Sequence, residues 1–506
     1  MRFLLPVCVL VLSSILPASV YDEVPITTDP SGYMGQDAPF RLAEQRSGME
    51  PLRVSPVLGA RDSVAQMLIL LEEGLSDSLD TALLQQWVDD IEAEKYTAQI
   101  LEISYAEPEE IRAMLDSLYS MGLEGVLLVG NLPNAWAAVE DSKERSTEMF
   151  PSDYFYMDLD GQWEDLWDGY PSGGVPGPDG FYDTWSGDLD PEIWAARIRV
   201  DNLSLLGDPM DMLEAYLIRN HAWRQTGDPE PVRALCYVDD DWAVWGPQYQ
   251  SAMELVYQNV DLFNTDSLTS GPDYEENRLP DDYVWISPYV HSGPNAHSWS
   301  PGPSTFWDEI VPIGPEARFY NLFACSNCRF TTPRYMGGVY AFATDAGLAA
   351  VGSTKSGSML HFDRFYGPLG GNATLGEAYR IWWEYIAAGG LTPSEKTWHL
   401  GMVLLGDPTL TPSMFLTGLE DGGQVAAELT LRAAPNPAST SVTLFASRQT
   451  AGSLSLYDTA GRRVASATIN GSAQLPVEGL ARGVYTAVAR WNDGASASSR
   501  ITVLGR

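Results

Sequence analysis

Met67-Leu68-Ile69-Leu70-Leu71, Ala98-Gln99-Ile100-Leu101-Glu102-Ile103 and Gly125-Val126-Leu127-Leu128-Val129-Gly130 are three apolar runs too short to be helices. Two stretches of helical spacing separate them. Residues 80–95 put Leu83, Leu84, Trp87, Val88 and Ile91 on one side, and residues 108–121 open on Pro108, which suits a first helical turn. Strand, helix, strand, helix, strand predicts parallel pairing through right-handed crossovers, hence an α/β fold built on a mostly parallel sheet flanked by helices.

Working outward, residues 151–190 change character, with many Asp, Gly, Trp and Tyr residues and several prolines, and read as loops. Strands resume at 193–200, 233–238 (ending in Asp239-Asp240-Asp241), 283–290, 319–324 and 348–352. Helices are expected at 210–224, 248–258 and 375–388. Residues 20–57 are rich in Pro, Gly and Asp and read as an irregular leader. Residues 411–431 read as a linker. Residues 432–506 carry short alternating strands and turn signals such as Asp458-Thr459-Ala460-Gly461, the pattern of a small all-β sandwich.

The formal net charge of −38 repels phosphate, so anionic membrane surfaces are poor partners and no nucleic-acid partner is expected. The first residues, Met1-Arg2-Phe3-Leu4-Leu5 and onward to Ala18-Ser19, place a basic residue before a short apolar run and small residues after it. That is the pattern of a secretory signal peptide over residues 1–19. Nothing later is long and apolar enough to span a membrane. Removal of the signal takes Cys8 with it and leaves Cys236, Cys325 and Cys328. An odd count argues against a disulfide framework and leaves a thiol to explain.

Two residues stand just past strand ends, where α/β sheets bind ligands. His291 follows Tyr289-Val290, and Cys325 follows Leu322-Phe323-Ala324. An imidazole beside a thiol raises its thiolate fraction and later protonates the leaving amine. The N–H groups of Gly293 and Cys325 are the expected oxyanion donors. His297 is the alternative base. Each residue also has a plainer reading, as packing for the cysteine and as a structural side chain for the histidine. Cys325 and Cys328 form a Cys-x-x-Cys, but no strand–helix start frames it for redox chemistry, and no second ligand pair frames it for zinc.

Four passages resemble the gingipain peptidases of the caspase-like clan. They are residues 125–133; Ser152-Asp153-Tyr154-Phe155-Tyr156 with Pro191-Glu192-Ile193 and Ala196-Arg197-Ile198; Phe323-Ala324-Cys325-Ser326-Asn327 with Phe330; and Leu405-Gly406-Asp407-Pro408-Thr409-Leu410. The resemblance covers about residues 58–410, with a first half at 58–145 and a His/Cys half at 146–410. It implies a caspase-like sheet and a secreted or surface-attached cysteine endopeptidase acting on proteins and peptides through a Cys–His dyad and a thioacyl-enzyme. Where the family usually reads Gly-His-Gly, this chain reads His291-Ser292-Gly293, and Cys328 stands where the family usually has Gly. The family supports its His with an acid, for which Asp201 is the nearest equivalent; a turn residue is the other reading of Asp201. A catalytically inactive adhesion or binding protein on the same fold is the alternative.

No cofactor is needed for this chemistry. The acidic loops offer oxygen clusters that hard cations prefer, and the resemblance implies structural calcium, with Asp158, Asp160, Asp179 and Asp183 as its expected ligands. The last segment, with Ala434-Pro435-Asn436-Pro437-Ala438 and Leu480-Ala481-Arg482-Gly483-Val484-Tyr485, resembles the sorting domain of type IX secretion substrates. That implies the type IX machinery as a partner and export through the periplasm to the cell surface or beyond.

Overall fold

The computed structural model describes residues 20–32, 37, 52–59, 65–104, 107–141, 146–168, 174–227, 232–265 and 268–412. In the last module it describes residues 431–434, 438, 440–446, 452–457, 463–491 and 496–503. The expected signal peptide and most of the expected linker lie outside these residues. The chain divides into two compact units, Met1–Leu416 and Thr417–Arg506.

The first unit is built on one eleven-stranded sheet. Its strands in chain order are β1 (Arg53–Gly59), β2 (Met67–Glu72), β3 (Ala98–Ser104), β4 (Gly125–Val129), β5 (Trp194–Ile198), β6 (Arg233–Val238), β7 (Asn259–Phe263), β8 (Trp285–Tyr289), β9 (Phe319–Leu322), β10 (Ala349–Ser353) and β11 (Met402–Gly406). Across the sheet they run β1-β3-β2-β4-β5-β11-β10-β9-β8-β6-β7. The pairs β2–β3, β2–β4, β4–β5, β6–β7, β6–β8, β8–β9 and β9–β10 are parallel. Edge strand β1 runs antiparallel to β3, and β11 runs antiparallel to β10.

Among the flanking helices are α1 (Thr81–Glu94), α2 (Pro108–Tyr119), α3 (Pro209–Thr226), α4 (Gly246–Met253) and α5 (Leu375–Ala387). Their starts follow capping chemistry. Asp80 accepts from Ala82 N–H at 2.8 Å, Asp208 accepts from Met210 N–H, and Thr374 with Glu377 forms a capping box. The inner strands are buried on both faces, as parallel strands covered by helices must be.

The passages that carry the family resemblance are largely structural. Asp153 holds Arg197 through two contacts, at 2.7 and 2.9 Å, with both side chains buried. Asp407 is buried and accepts from Trp87 Nε1 (2.7 Å), Asn220 Nδ2 (3.0 Å) and Arg224 Nη2 (2.8 Å). It thereby ties α1 and α3 to the end of β11. Burial alone would raise the Asp407 carboxyl, but Arg224 and the surrounding donors hold it below its ordinary value.

Loops that follow several central strands meet at one end of those strands. Thr354, after β10, donates to Pro151 O, and Arg329, after β9, donates to Met149 O and Thr354 O. Tyr335 OH donates to Arg199 O after β5. The second unit is a sandwich of a three-stranded and a four-stranded antiparallel sheet, with Val442, Leu444, Leu454, Leu456, Ile469 and Ile501 in its core.

Candidate active site

Strands β8 and β9 are parallel neighbours, and an isolated bridge between Tyr289 and Phe323 continues their pairing up to the expected site residues. His291 leaves the first strand in a small hairpin, where residues 291–293 pair with 296–298. Cys325 leaves the second, followed by Ser326 in the left-handed region at φ 54. Ser326 N–H donates to Lys355 O, which ties the turn to the loop after β10. A non-glycine residue held at positive φ beside a candidate nucleophile stores backbone strain there.

The leader lies across both residues. Thr28 N–H donates to His291 Nδ1 at 3.0 Å. That bond requires Nδ1 to be unprotonated, so Nε2 carries the hydrogen and donates to Asp241 Oδ2 at 2.8 Å. The Trp242 ring packs on the imidazole with centroids 4.6 Å apart, and its Nε1–H donates to Pro25 O. On the other side, Thr27 is hydrogen-bonded to Cys325 and to both backbone groups of Gly357, at 3.1 and 3.2 Å. Two consecutive leader residues therefore bridge the histidine and the cysteine.

Burial pushes the Cys325 thiol up to about 12, with hydrogen bonds from Thr27, Gly357 and Ser356 opposing the shift. With the leader in place the sulfur is a neutral thiol. Cys328 is core. A Cβ placed on Gly337 or Gly352 would come within 2.5 or 2.7 Å of its Sγ, so the sulfur fills the space that those glycines leave. Cys236 is likewise free and buried.

Several expectations are corrected by the geometry. The carboxylate on His291 is Asp241. Asp201 instead pairs with Arg199 at 3.1 Å, two residues before it in the chain. The sequence had shown Asp239-Asp240-Asp241 at a strand end, the one signal that pointed to the acid. Of the two residues after the histidine, it is the inserted Ser292 whose N–H reaches the leader, at Thr28 O (3.4 Å). Gly293 accepts from Asn327 Nδ2 through its carbonyl, and Asp29 stands 3.0 Å from where its side chain would begin. His297 is no substitute base. It is buried between Ser292 Oγ and Tyr340 OH, and burial pulls it down to about 3.

The four expected calcium ligands fall into two groups. Asp158 and Asp160 come together with Glu192, which was not expected, and their ligand atoms lie within 4.8 Å of one another. Asp183 instead accepts from Leu166 N–H and Trp167 N–H, while Asp179 N–H and Gly180 N–H donate to Asp165. Asp158 already accepts from Gly161 N–H and Trp163 Nε1, with the Arg112 guanidinium 3.5 Å away. The cluster supplies three carboxylates where calcium takes six to eight oxygens, so the fit is partial. Burial raises Asp158 to about 6 and Glu192 to about 7.

Residues 433–503 match the secretion system C-terminal sorting domain. The chain is thus an exported protein, destined for the cell surface or the extracellular space. Among the described residues no helix is long and apolar enough to cross a membrane. A comparison with curated proteins gives no match.

Solved structures similar to the chain include dimeric latent PorU from Porphyromonas gingivalis, at 10% identity and a TM-score of 0.29, covering 88% of this chain and 43% of that one. CopC from Methylosinus trichosporium OB3b is similar at 20% identity and a TM-score of 0.13, over 16% of this chain and 96% of that one. A Cellulomonas fimi endo-beta-1,4-mannanase double mutant is similar at 11% identity and a TM-score of 0.19, over 87% of this chain and 94% of that one. At these scores none of the three likenesses bears on function.

Proposed function

We propose that the chain is an exported cysteine endopeptidase of gingipain type, with Cys325 as nucleophile, His291 as general base and acid, and Asp241 orienting the imidazole. The observation that carries this reading is the Asp241–His291–Thr28 relay, with the adjacent leader residue Thr27 bonded to Cys325. A carboxylate fixes the tautomer that leaves one ring nitrogen able to accept a proton, and that nitrogen is already bonded to a peptide N–H. In the reaction the Cys325 sulfur adds to a peptide carbonyl and His291 takes the thiol proton. His291 then delivers that proton to the leaving nitrogen as the C–N bond breaks, and water hydrolyses the thioester. The Ser292 N–H is positioned to donate to a carbonyl oxygen in the cleft.

The second reading is an inactive surface binding protein on the same fold. The observation favouring it is the complete burial of the Cys325 side chain. A peptide library digested by the Thr28→Pro chain, in which the leader no longer holds His291, and by the same chain carrying Cys325→Ala, and read by mass spectrometry, separates the two. The proposal expects cleavage that disappears with Cys325→Ala; equal cleavage by both, or none by either, supports the binding protein. If Asp158, Asp160 and Glu192 share a calcium ion, its part is to hold the acidic loop, and no step of the chemistry passes through it.

A further inference from the structure

The leader sits in the cleft as a ligand would. Residues 25–29 form no helix or strand of their own, yet Thr27 is completely buried while its neighbour Thr28 is exposed. Their partners are the groups a peptide substrate needs, namely Cys325, His291, the Ser292 N–H and the backbone of Gly357. A second attachment lies further along. Asp37 accepts from Arg329 Nε, Thr331 Oγ1 and Thr332 Oγ1 in the loop after Cys325.

The Thr27 pocket is specific. Gly357 N–H donates to the Thr27 hydroxyl, and the hydroxyl donates to Gly357 O. The glycine is required there, with φ +102 and a would-be Cβ only 2.4 Å from Trp398 O. Buried Glu148 accepts from Ser356 N–H and fixes the loop. A side chain of the same shape without the hydroxyl leaves both Gly357 groups unpaired, which is how a site rejects an isostere.

We infer that residues 24–29 are a built-in substrate mimic that keeps the chain latent, and that the cleft they vacate takes extended peptides with Thr or Ser at the position of Thr27. This rests on the peptidase reading only for what happens to a peptide once bound; occupancy of the cleft is measured without turnover. The probe is iodoacetamide on the full chain, with labelled cysteines located by mass spectrometry. Two variants open the cleft. Thr27→Arg does not fit the closed pocket, and Thr28→Pro removes both the N–H and the hydroxyl that reach His291 Nδ1.

In the wild type Cys325 is expected to resist labelling as Cys236 and Cys328 do. In Thr28→Pro or Thr27→Arg, Cys325 alone labels at least about tenfold faster, the factor that one or two lost hydrogen bonds represent. Cys236 and Cys328, buried elsewhere, act as fold controls. A synthetic peptide of residues 24–31 restores protection to Thr28→Pro, and its Thr27→Val form does so about tenfold less well. Rapid labelling of wild-type Cys325, or no gain in a variant whose other cysteines stay protected, overturns latency. Equal protection by both peptides overturns the hydroxyl preference. An opened variant that labels at Cys325 yet cleaves nothing leaves latency standing and counts against the peptidase reading instead.

Discussion

His291 is held at both ring nitrogens, and the two bonds do different work. Asp241 fixes the Nε2–H tautomer, and Thr28 marks the nitrogen that would exchange protons. Asp241→Asn offers Nε2 a weaker, uncharged partner and loses the charge that balances an imidazolium. We expect kcat/KM of an opened form to fall about a hundredfold or more, whereas Asp201→Asn changes it by less than about threefold. Steady-state kinetics on the two variants check this. That the cysteine and the histidine stand just past strand ends was legible in the sequence, because the apolar runs before them mark where the strands stop. Asp241 was not, because three adjacent aspartates look alike until the fold shows which one faces the ring. Nor was Thr27, since a lone threonine in a Pro- and Gly-rich leader carries no periodic signal.

Among the elements, β2 to β4 and their helices were readable from periodicity alone. The expected 80–95 and 108–121 helices appear as Thr81–Glu94 and Pro108–Tyr119. Edge strands β1 and β7 escaped notice because neither is an apolar run. β1 is mostly exposed, and β7 has a single buried residue, Val260. The turn after β9 has its own test. Gly352→Ala should cost about 1–3 kcal/mol, because the new methyl meets Cys328 Sγ, and much of that cost should vanish with Cys328→Ala. Denaturant titration of the two single variants and the double variant measures the coupling.

The acidic loop carries a pH signature. Glu192 has its folded pKa raised to about 7, so the folded chain keeps a proton that the unfolded chain loses near its ordinary value. Stability from this group is therefore present at low pH and falls as pH rises toward 7. Glu192→Gln mimics the protonated state. Its stability relative to the wild type should rise between pH 5 and about 7.5, as measured by denaturation in a chelating buffer.

For the whole molecule, Asp407 gives the closing Leu405-Gly406-Asp407-Pro408-Thr409 passage a structural part. It is a buried anchor for two helices rather than a catalytic group. Asp407→Ala leaves Arg224 buried beside the vacated carboxylate position and should cost about 3–5 kcal/mol, read as a lowered Tm. The sorting module folds around its own core, so a chain ending at Leu416 should keep the Tm of the first unit and fail to reach the medium or the cell surface. Fractionation with blotting tests that directly.

Covalent capture of the nucleophile is the sharpest test of the site as a whole. A peptidyl chloromethyl ketone ending in Ile-Thr, the leader residues at Ile26-Thr27, is added to the Thr28→Pro chain and to the same chain carrying His291→Ala. Intact-mass analysis with peptide mapping should find an adduct on Cys325, forming at least about tenfold more slowly without the imidazole. Adducts on Cys236 or Cys328, or a Cys325 adduct whose rate ignores His291, would contradict a Cys325–His291 nucleophile.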